Sequence, residues 1–353
     1  MIIKELEYFK VPRYVVFGPK AIGKVEEIVR KLGRNKYGLI VTGQNYSKNY
    51  AEKIEINNCH FECIFEASVE EITRLKDKYS GNVHYVVCVG GGKVIDVGKV
   101  LAHIWNVPLI SVPTVASHDG FASPYISYLL QLDLNRLGLG KIYKVPIAII
   151  ADTSIILEAP RRYLIAGVGE LMGKIIAVKD WQLAHRLKGE DYSEYAATLS
   201  LASSKIIDKN FEKLKIHNEE CVRIVVKALI GCGVAMSIAG TSRPCSGSEH
   251  LFSHALDLLA REYNLKPALH GEQVALGTLI MAYLHGLNWR KIKTRMKILG
   301  IPITAKELGY DRDIIIEALM MAHKIRPDRY TILGTDGLNR KAAEHVIDEL
   351  GIA

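Results

Sequence analysis

A chain of 353 residues, 49% of them hydrophobic, can bury a sizeable core and is long enough for two domains. Its formal charge of +8 comes from 46 lysines and arginines against 38 acids, and the two signs are interleaved with no basic run of five or more. That pattern excludes a nucleic-acid module and points instead to an anionic small molecule as partner.

Met1 to Lys10 carries Lys4, Glu5 and Glu7 among its apolar residues and lacks the features of an export signal. The longest apolar run, Ala228 to Gly240, is short for a bilayer span and interrupted by glycines, so no membrane insertion and a cytoplasmic location are expected. Six cysteines (Cys59, Cys63, Cys88, Cys221, Cys232, Cys245) are scattered and read as reduced thiols.

Short apolar runs recur at Tyr14 to Phe17, Tyr37 to Val41, Phe61 to Phe65, Tyr85 to Val89, Pro108 to Val112 and Ile147 to Ala151. Helical periods separate them at Ala21 to Leu32, Val69 to Tyr79 and Val94 to Trp105. This rhythm predicts an α/β N-terminal domain, Rossmann-like, with a mostly parallel sheet. Gln131 to Lys144 reads as a hairpin or exposed loop. After Ala151 the β-like runs stop, and Leu171 to Leu187, Tyr192 to Asp208, Cys221 to Ala239, Ser248 to Tyr263 and Gly271 to His285 read as helices. The expected division is residues 1–157, α/β and dinucleotide-binding, and 158–353, all-α and holding metal and substrate, with the active site in the cleft between them.

Val86-Val87-Cys88-Val89-Gly90-Gly91-Gly92-Lys93-Val94-Ile95-Asp96 places three glycines where a buried strand gives way to a helix. Such a turn lets backbone N–H groups and the positive end of a helix approach a pyrophosphate. It is not the Gly-x-Gly-x-x-Gly fingerprint, and a tight connection is the competing reading. After the second strand, Thr42 to Lys48 contains no carboxylate for the ribose hydroxyls and places Lys48 nearby, which predicts use of NADP(H) as well as NAD(H).

His250 and His254 stand four apart at the start of a predicted helix and share one face. His270 lies just ahead of the next helix, and Glu170 sits at the start of an earlier one. Glu170 with two histidines makes a catalytic zinc set. Glu249 precedes His250, so the His-Glu-x-x-His protease pattern is not met and Glu249 is expected to point elsewhere.

At these residues the chain resembles the glycerol-1-phosphate dehydrogenases of archaeal lipid synthesis, relatives of glycerol dehydrogenase, dehydroquinate synthase and iron-dependent alcohol dehydrogenases. The resemblance rests on Gly90 to Asp96, on Pro113-Thr114-Val115-Ala116-Ser117-His118-Asp119-Gly120-Phe121-Ala122-Ser123-Pro124, and on Ser242-Arg243-Pro244 leading into the histidine helix. It implies that Gly91, Gly92, Lys93, Val94, Ile95, Asp96, Thr114, Val115, Ala116, Ser117 and Ser123 contact NAD(H) or NADP(H). It further implies that Glu170, His250 and His270 ligate one zinc ion per subunit, with Glu170 beside the substrate, and that Asp119 and His254 bind substrate. His254 is expected to take part in proton transfer without ligating the metal. The implied reaction reduces dihydroxyacetone phosphate to sn-glycerol 1-phosphate, in a homo-oligomer. Glycerol or polyol dehydrogenase and dehydroquinate synthase are the alternatives. One departure is Glu170, where this branch usually has aspartate and dehydroquinate synthases have glutamate. Arg243, Lys141, Lys144, Arg161 and Arg162 are the available partners for a substrate phosphate, and spacing does not choose among them.

Overall fold

The computed structural model describes residues 8–33 and 36–352; Lys4, Glu5 and Glu7 fall outside the described residues. Six apolar runs form six strands: β1 (Tyr14–Gly18), β2 (Gly38–Gly43), β3 (Cys59–Ile64), β4 (Tyr85–Gly90), β5 (Leu109–Pro113) and β6 (Ala148–Asp152). All pairings are parallel, in the order β1-β6-β5-β4-β2-β3. Each expected strand lies within a residue or two of its observed bounds. The central strands β4, β5 and β6 are buried throughout, which is why they read as unbroken apolar runs rather than alternating ones.

Chain direction across the sheet reverses between β2 and β4, since β2 leads outward to β3 and β4 leads the other way to β5. The crevice above the carboxyl ends of β2 and β4 is therefore a topological switch point, where open α/β sheets take ligands. The three glycines sit there, at the end of β4 and the start of the helix Gly92–Ile104.

Gln131 to Lys144 is corrected by the structure. Tyr128–Arg136 is an α-helix. Leu130, Leu132 and Leu134 alternate like a strand, but Leu130 and Leu134 are the buried pair, four apart on one helical face. Gly138 and Gly140, at φ +75° and +65°, follow the helix in backbone that side chains disfavour.

From Thr153 onward every regular element described is helical. The expected Leu171 to Leu187 helix is two segments, Arg161–Met172 and Lys174–Lys188, meeting at Gly173. The helix Glu219–Ala239 is longer than the apolar run visible in the sequence, and by length and composition it could cross a bilayer. It is a core helix instead, with 67% of its most apolar stretch buried. One apolar core runs from Leu39 and Val86 in the sheet, through Val225 and Leu229 of that helix, to Leu279 and Ile352.

Candidate active site

A cavity of about 750 Å³ runs from the glycine turn to the histidines, with Gly92, Lys93 and Asp96 in its wall together with Asp119, Ser123, His250, His254 and His270. Gly92 is where it is because His118 packs over the turn: a Cβ there would stand 2.6 Å from His118 Nε2. Asp96 accepts a hydrogen bond from Ser127 N–H at 2.9 Å, which ties the first turn of the helix to the opposite wall. Val94, Ile95 and Ala116 do not line the cavity and pack in the core. Thr114 N–H bonds to the Gly90 carbonyl at 3.2 Å, holding the two strand-end loops together. Lys48, at the end of β2, lies 3.6 Å from Glu52 in an exposed ion pair.

Three helices supply the metal-type donors. Glu170 comes from Arg161–Met172, His250 from Ser248–Glu262, and His270 begins His270–Leu284. His250 Nε2 lies 3.3 Å from Glu170 Oε1, and His270 Nε2 lies 3.5 Å from Glu170 Oε2. Donors of a tetrahedral zinc site, at bond lengths of 2.0–2.1 Å, stand roughly 3.3 Å apart, so the spacing fits the ion. Glu170 Oε2 is buried and has no hydrogen-bond partner among the described residues, as a group reserved for a cation would be.

Each imidazole is oriented from behind. His250 Nδ1 is 2.7 Å from Glu249 Oε1, which also accepts from Gly247 N–H at 2.8 Å. His270 Nδ1 is 3.1 Å from Ser253 Oγ, which donates to Gln273 Oε1 at 2.7 Å. Fixing Nδ1 leaves Nε2 directed at the ion, a support that metal histidines nearly always have. The expectation that Glu249 points elsewhere is thus corrected. Adjacent helical residues do not normally face one another, but Glu249 lies in the first turn, where its carboxylate folds back to the free Gly247 N–H and so meets His250.

Lys174 was not legible as a site residue. It is fully buried, and its ammonium donates to Glu170 Oε1, to Asp119 Oδ2 at 2.9 Å and to the Cys245 carbonyl at 3.1 Å. Burial works against its charge, yet Asp119 and Glu170 hold its pKa well above the usual lysine value. Burial likewise opposes ionisation of Glu170, and Lys174 with His250 overcomes it, so that carboxyl lies well below its ordinary range. Burial lifts Asp119 despite Lys174. With no dication in the site, burial opposes a charge on His250, but Glu170 and Glu249 raise it to about 9. Burial pushes His270 down to about 3.

His254, one turn beyond His250, faces the cavity and stacks on Tyr128 with ring centroids 4.8 Å apart. Burial, then the nearby Arg326, hold its pKa well below the ordinary histidine value. Its Nδ1 lies 4.0 Å from Asp257 Oδ2 and has no hydrogen bond among the described residues.

A family model for iron-containing alcohol dehydrogenases matches residues 16–160. A protein of Caldivirga maquilingensis named glycerol-1-phosphate dehydrogenase, NAD(P)+, is 58% identical over 99% of this chain and 100% of its own. The chain belongs to the glycerol-1-phosphate dehydrogenase family. A more distant member, from Pyrococcus horikoshii, is 46% identical over 98% of this chain and 100% of its own. The family's fold extends to a probable glycerol dehydrogenase of Sinorhizobium meliloti, with TM-score 0.76 at 21% identity over 98% of both chains. It extends also to the glycerol dehydrogenase of Schizosaccharomyces pombe, with TM-score 0.76 at 23% identity over 97% of this chain and 90% of the other.

Proposed function

We propose that the chain reduces dihydroxyacetone phosphate to sn-glycerol 1-phosphate with NADH or NADPH, supplying glycerol phosphate for archaeal ether-lipid synthesis. The observation that carries this reading is the convergence of His250 Nε2 and His270 Nε2 on Glu170 in the wall of a cavity that also reaches the glycine turn. Family membership supports the substrate and the dinucleotide. The reading divides the chain at 157/158 into a dinucleotide-binding and a metal-binding unit, and places the enzyme in the cytoplasm as a homo-oligomer.

Glu170, His250 and His270 would hold the zinc ion. When bound, the ion supplies a Lewis acid for the substrate ketone and the dinucleotide supplies hydride. Glu249 and Ser253 keep both imidazoles in the orientation that offers Nε2 to the ion. Lys174 keeps Glu170 ionised and donates to Asp119, whose carboxyl burial lifts. Gly91, Gly92, Lys93 and Asp96, with Thr114, Val115 and Ser117, would hold the dinucleotide at the switch point, while Val94, Ile95 and Ala116 back them from the core. Asp119 and His254 meet the substrate.

His254 is neutral at physiological pH because burial and Arg326 oppose its protonation. It acts as a hydrogen-bonding relay for the proton that completes the alcohol. We expect His254→Ala to lower kcat by about a hundredfold while NADH still binds, measured by turnover and by quenching of protein fluorescence. Full turnover in that variant would remove the role.

The assay of the whole reading follows oxidation of NADH and of NADPH with dihydroxyacetone phosphate, before and after chelation and with zinc restored. We expect both dinucleotides to serve, activity to vanish with chelator and return with zinc, and the product to be refused by a dehydrogenase specific for sn-glycerol 3-phosphate. Turnover of glycerol with none of the phosphate would move the assignment to polyol dehydrogenase. Conversion of a seven-carbon heptulosonate phosphate would move it to dehydroquinate synthase.

A further inference from the structure

The cavity wall around Tyr128, Ser242 and Ser246 is backed by cations. Arg326, just past the helix Arg312–Ile325, lines the cavity, and its guanidinium makes no hydrogen bond or ion pair among the described residues. It lies 5.9 Å from the centroid of Tyr128, the ring that stacks on His254. Arg329 donates to the Ser246 carbonyl at 2.6 Å and to Ser242 Oγ at 2.9 Å. Ser242 and Ser246 both line the cavity. Arg243 is only 2% exposed and gives two of its nitrogens to Glu190, while its Nη1 is buried with no partner among the described residues. Lys141 lies over the Tyr125 ring at 4.9 Å on the same side.

These cations sense one another. Burial, then Arg326 and Arg243, push Arg329 down to about 9; burial, then Arg326 and Arg329, lower Lys141. Glu190 and Asp328 are the carboxylates that face the cluster. Four cations against two carboxylates leave an excess close to the charge of a phosphate monoester, about −1.5 to −2 at neutral pH. An unpaired, partly desolvated guanidinium is a costly thing to keep without a ligand, and its planar fork suits a phosphate's oxygens.

The other candidates are engaged or elsewhere. Arg162 is bidentate to Glu272 at 2.6 and 2.7 Å, and Glu272 also accepts from Leu269 N–H ahead of His270, so Arg162 braces that helix. Arg161 donates to the Leu299 and Leu214 carbonyls. Lys144 is not in the cavity wall and stands apart from the cluster, sensing Lys10 where Lys141 senses Arg326 and Arg329.

We propose that Arg326 is the anchor for the substrate phosphate, with Arg329 and Arg243 fixed behind it and Lys141 at the rim. The proposal rests on the reading of a three-carbon phosphate substrate given above. It makes Arg326 the residue that separates phosphorylated from unphosphorylated ketones, with the reacting carbon held between it and the histidines.

The test compares kcat/KM for dihydroxyacetone phosphate and for dihydroxyacetone in the zinc-loaded enzyme, and the inhibition constant of inorganic phosphate. In Arg326→Gln we expect the preference for the phosphorylated ketone to fall roughly a hundredfold, mostly through KM, and inhibition by inorganic phosphate to weaken at least tenfold. Arg326→Lys should recover part of both, because a point charge without the fork keeps the attraction and loses the geometry. Equal losses on the two ketones, or undiminished phosphate inhibition, would overturn the assignment. Failure of the underlying reading shows separately, before any substitution, as an unaltered enzyme that does not prefer the phosphate.

Discussion

Glu170→Ala should leave the protein folded and without its metal: zinc per subunit falls to background, and kcat/KM on dihydroxyacetone phosphate drops by about a thousandfold or more. Groups that only orient a metal ligand are worth roughly 10- to 100-fold in affinity, and Glu170 is proposed as a ligand itself, with the two histidines 3.3 and 3.5 Å from its carboxylate oxygens. Mass spectrometry of the native protein and a stopped-flow assay check the two parts. The binding itself carries a signature. A metal needs the imidazole neutral, whereas Glu170 and Glu249 raise His250 to about 9 against the opposing effect of burial. Zinc binding to the unaltered enzyme therefore releases a proton below that pH and tightens as pH rises towards it. In Glu170→Ala the histidine loses its principal charge partner, so proton release per ion shrinks along with affinity. Unchanged zinc content would remove Glu170 from the ligand set.

Lys174→Met is expected to destabilise the metal-free enzyme by about 3–5 kcal/mol, the cost of breaking a buried ion pair from one side. The methionine fills similar space but leaves Asp119 and Glu170 with no ammonium between them. The pH dependence has a definite sign. In the unaltered protein the pKa of Lys174 is raised, so its contribution is complete below the unfolded lysine value and fades only as pH climbs through the higher folded value. In the variant both carboxyls lack their cation, their folded pKa values rise, and the deficit is largest at alkaline pH and relieved as pH falls and they protonate. Zinc should restore part of the loss, since a dication balances Glu170, but not the part that belongs to Asp119. Thermal unfolding at pH 5 and pH 8, with and without zinc, reads all of this. Equal stability to the unaltered enzyme at pH 8 would show that Lys174 does not carry the charge balance.

The sheet was readable because buried parallel strands are unbroken apolar runs and β4, β5 and β6 are buried throughout. Glu170 with two histidines suggested a zinc set by residue type, but the choice of His250 and His270 over His254 came by resemblance, since three residues spread over a hundred positions have no spacing in common. Lys174 shows why the rest was hidden. Glu170 and Lys174 stand four apart with the acid first, the arrangement of an exposed pair on any surface helix, and nothing local tells that both are fully buried. Arg326 was missed for the converse reason: what singles it out is the lack of a partner, and that exists only once the cavity does. Gln131 to Lys144 was misread because the buried pair that marks its helix, Leu130 and Leu134, begins before the segment does.

The neighbours of β1 have a consequence for synthesis. Among the described residues the strand Tyr14–Gly18 pairs only with β6, Ala148–Asp152, and Asp152 also accepts from Lys20 and Ile22 N–H across as many as 132 residues of sequence. The first strand to leave the ribosome is thus the last to be placed. At a translation rate of 5–20 residues per second it waits on the order of ten seconds with an unpaired edge. Through that interval β2 to β5 can already associate, while the segment from Tyr14 to Gly18 is open to chaperones and to strands of other chains. Nascent chains that stop short of Ala148 should accordingly be more aggregation-prone than those extended past Asp152.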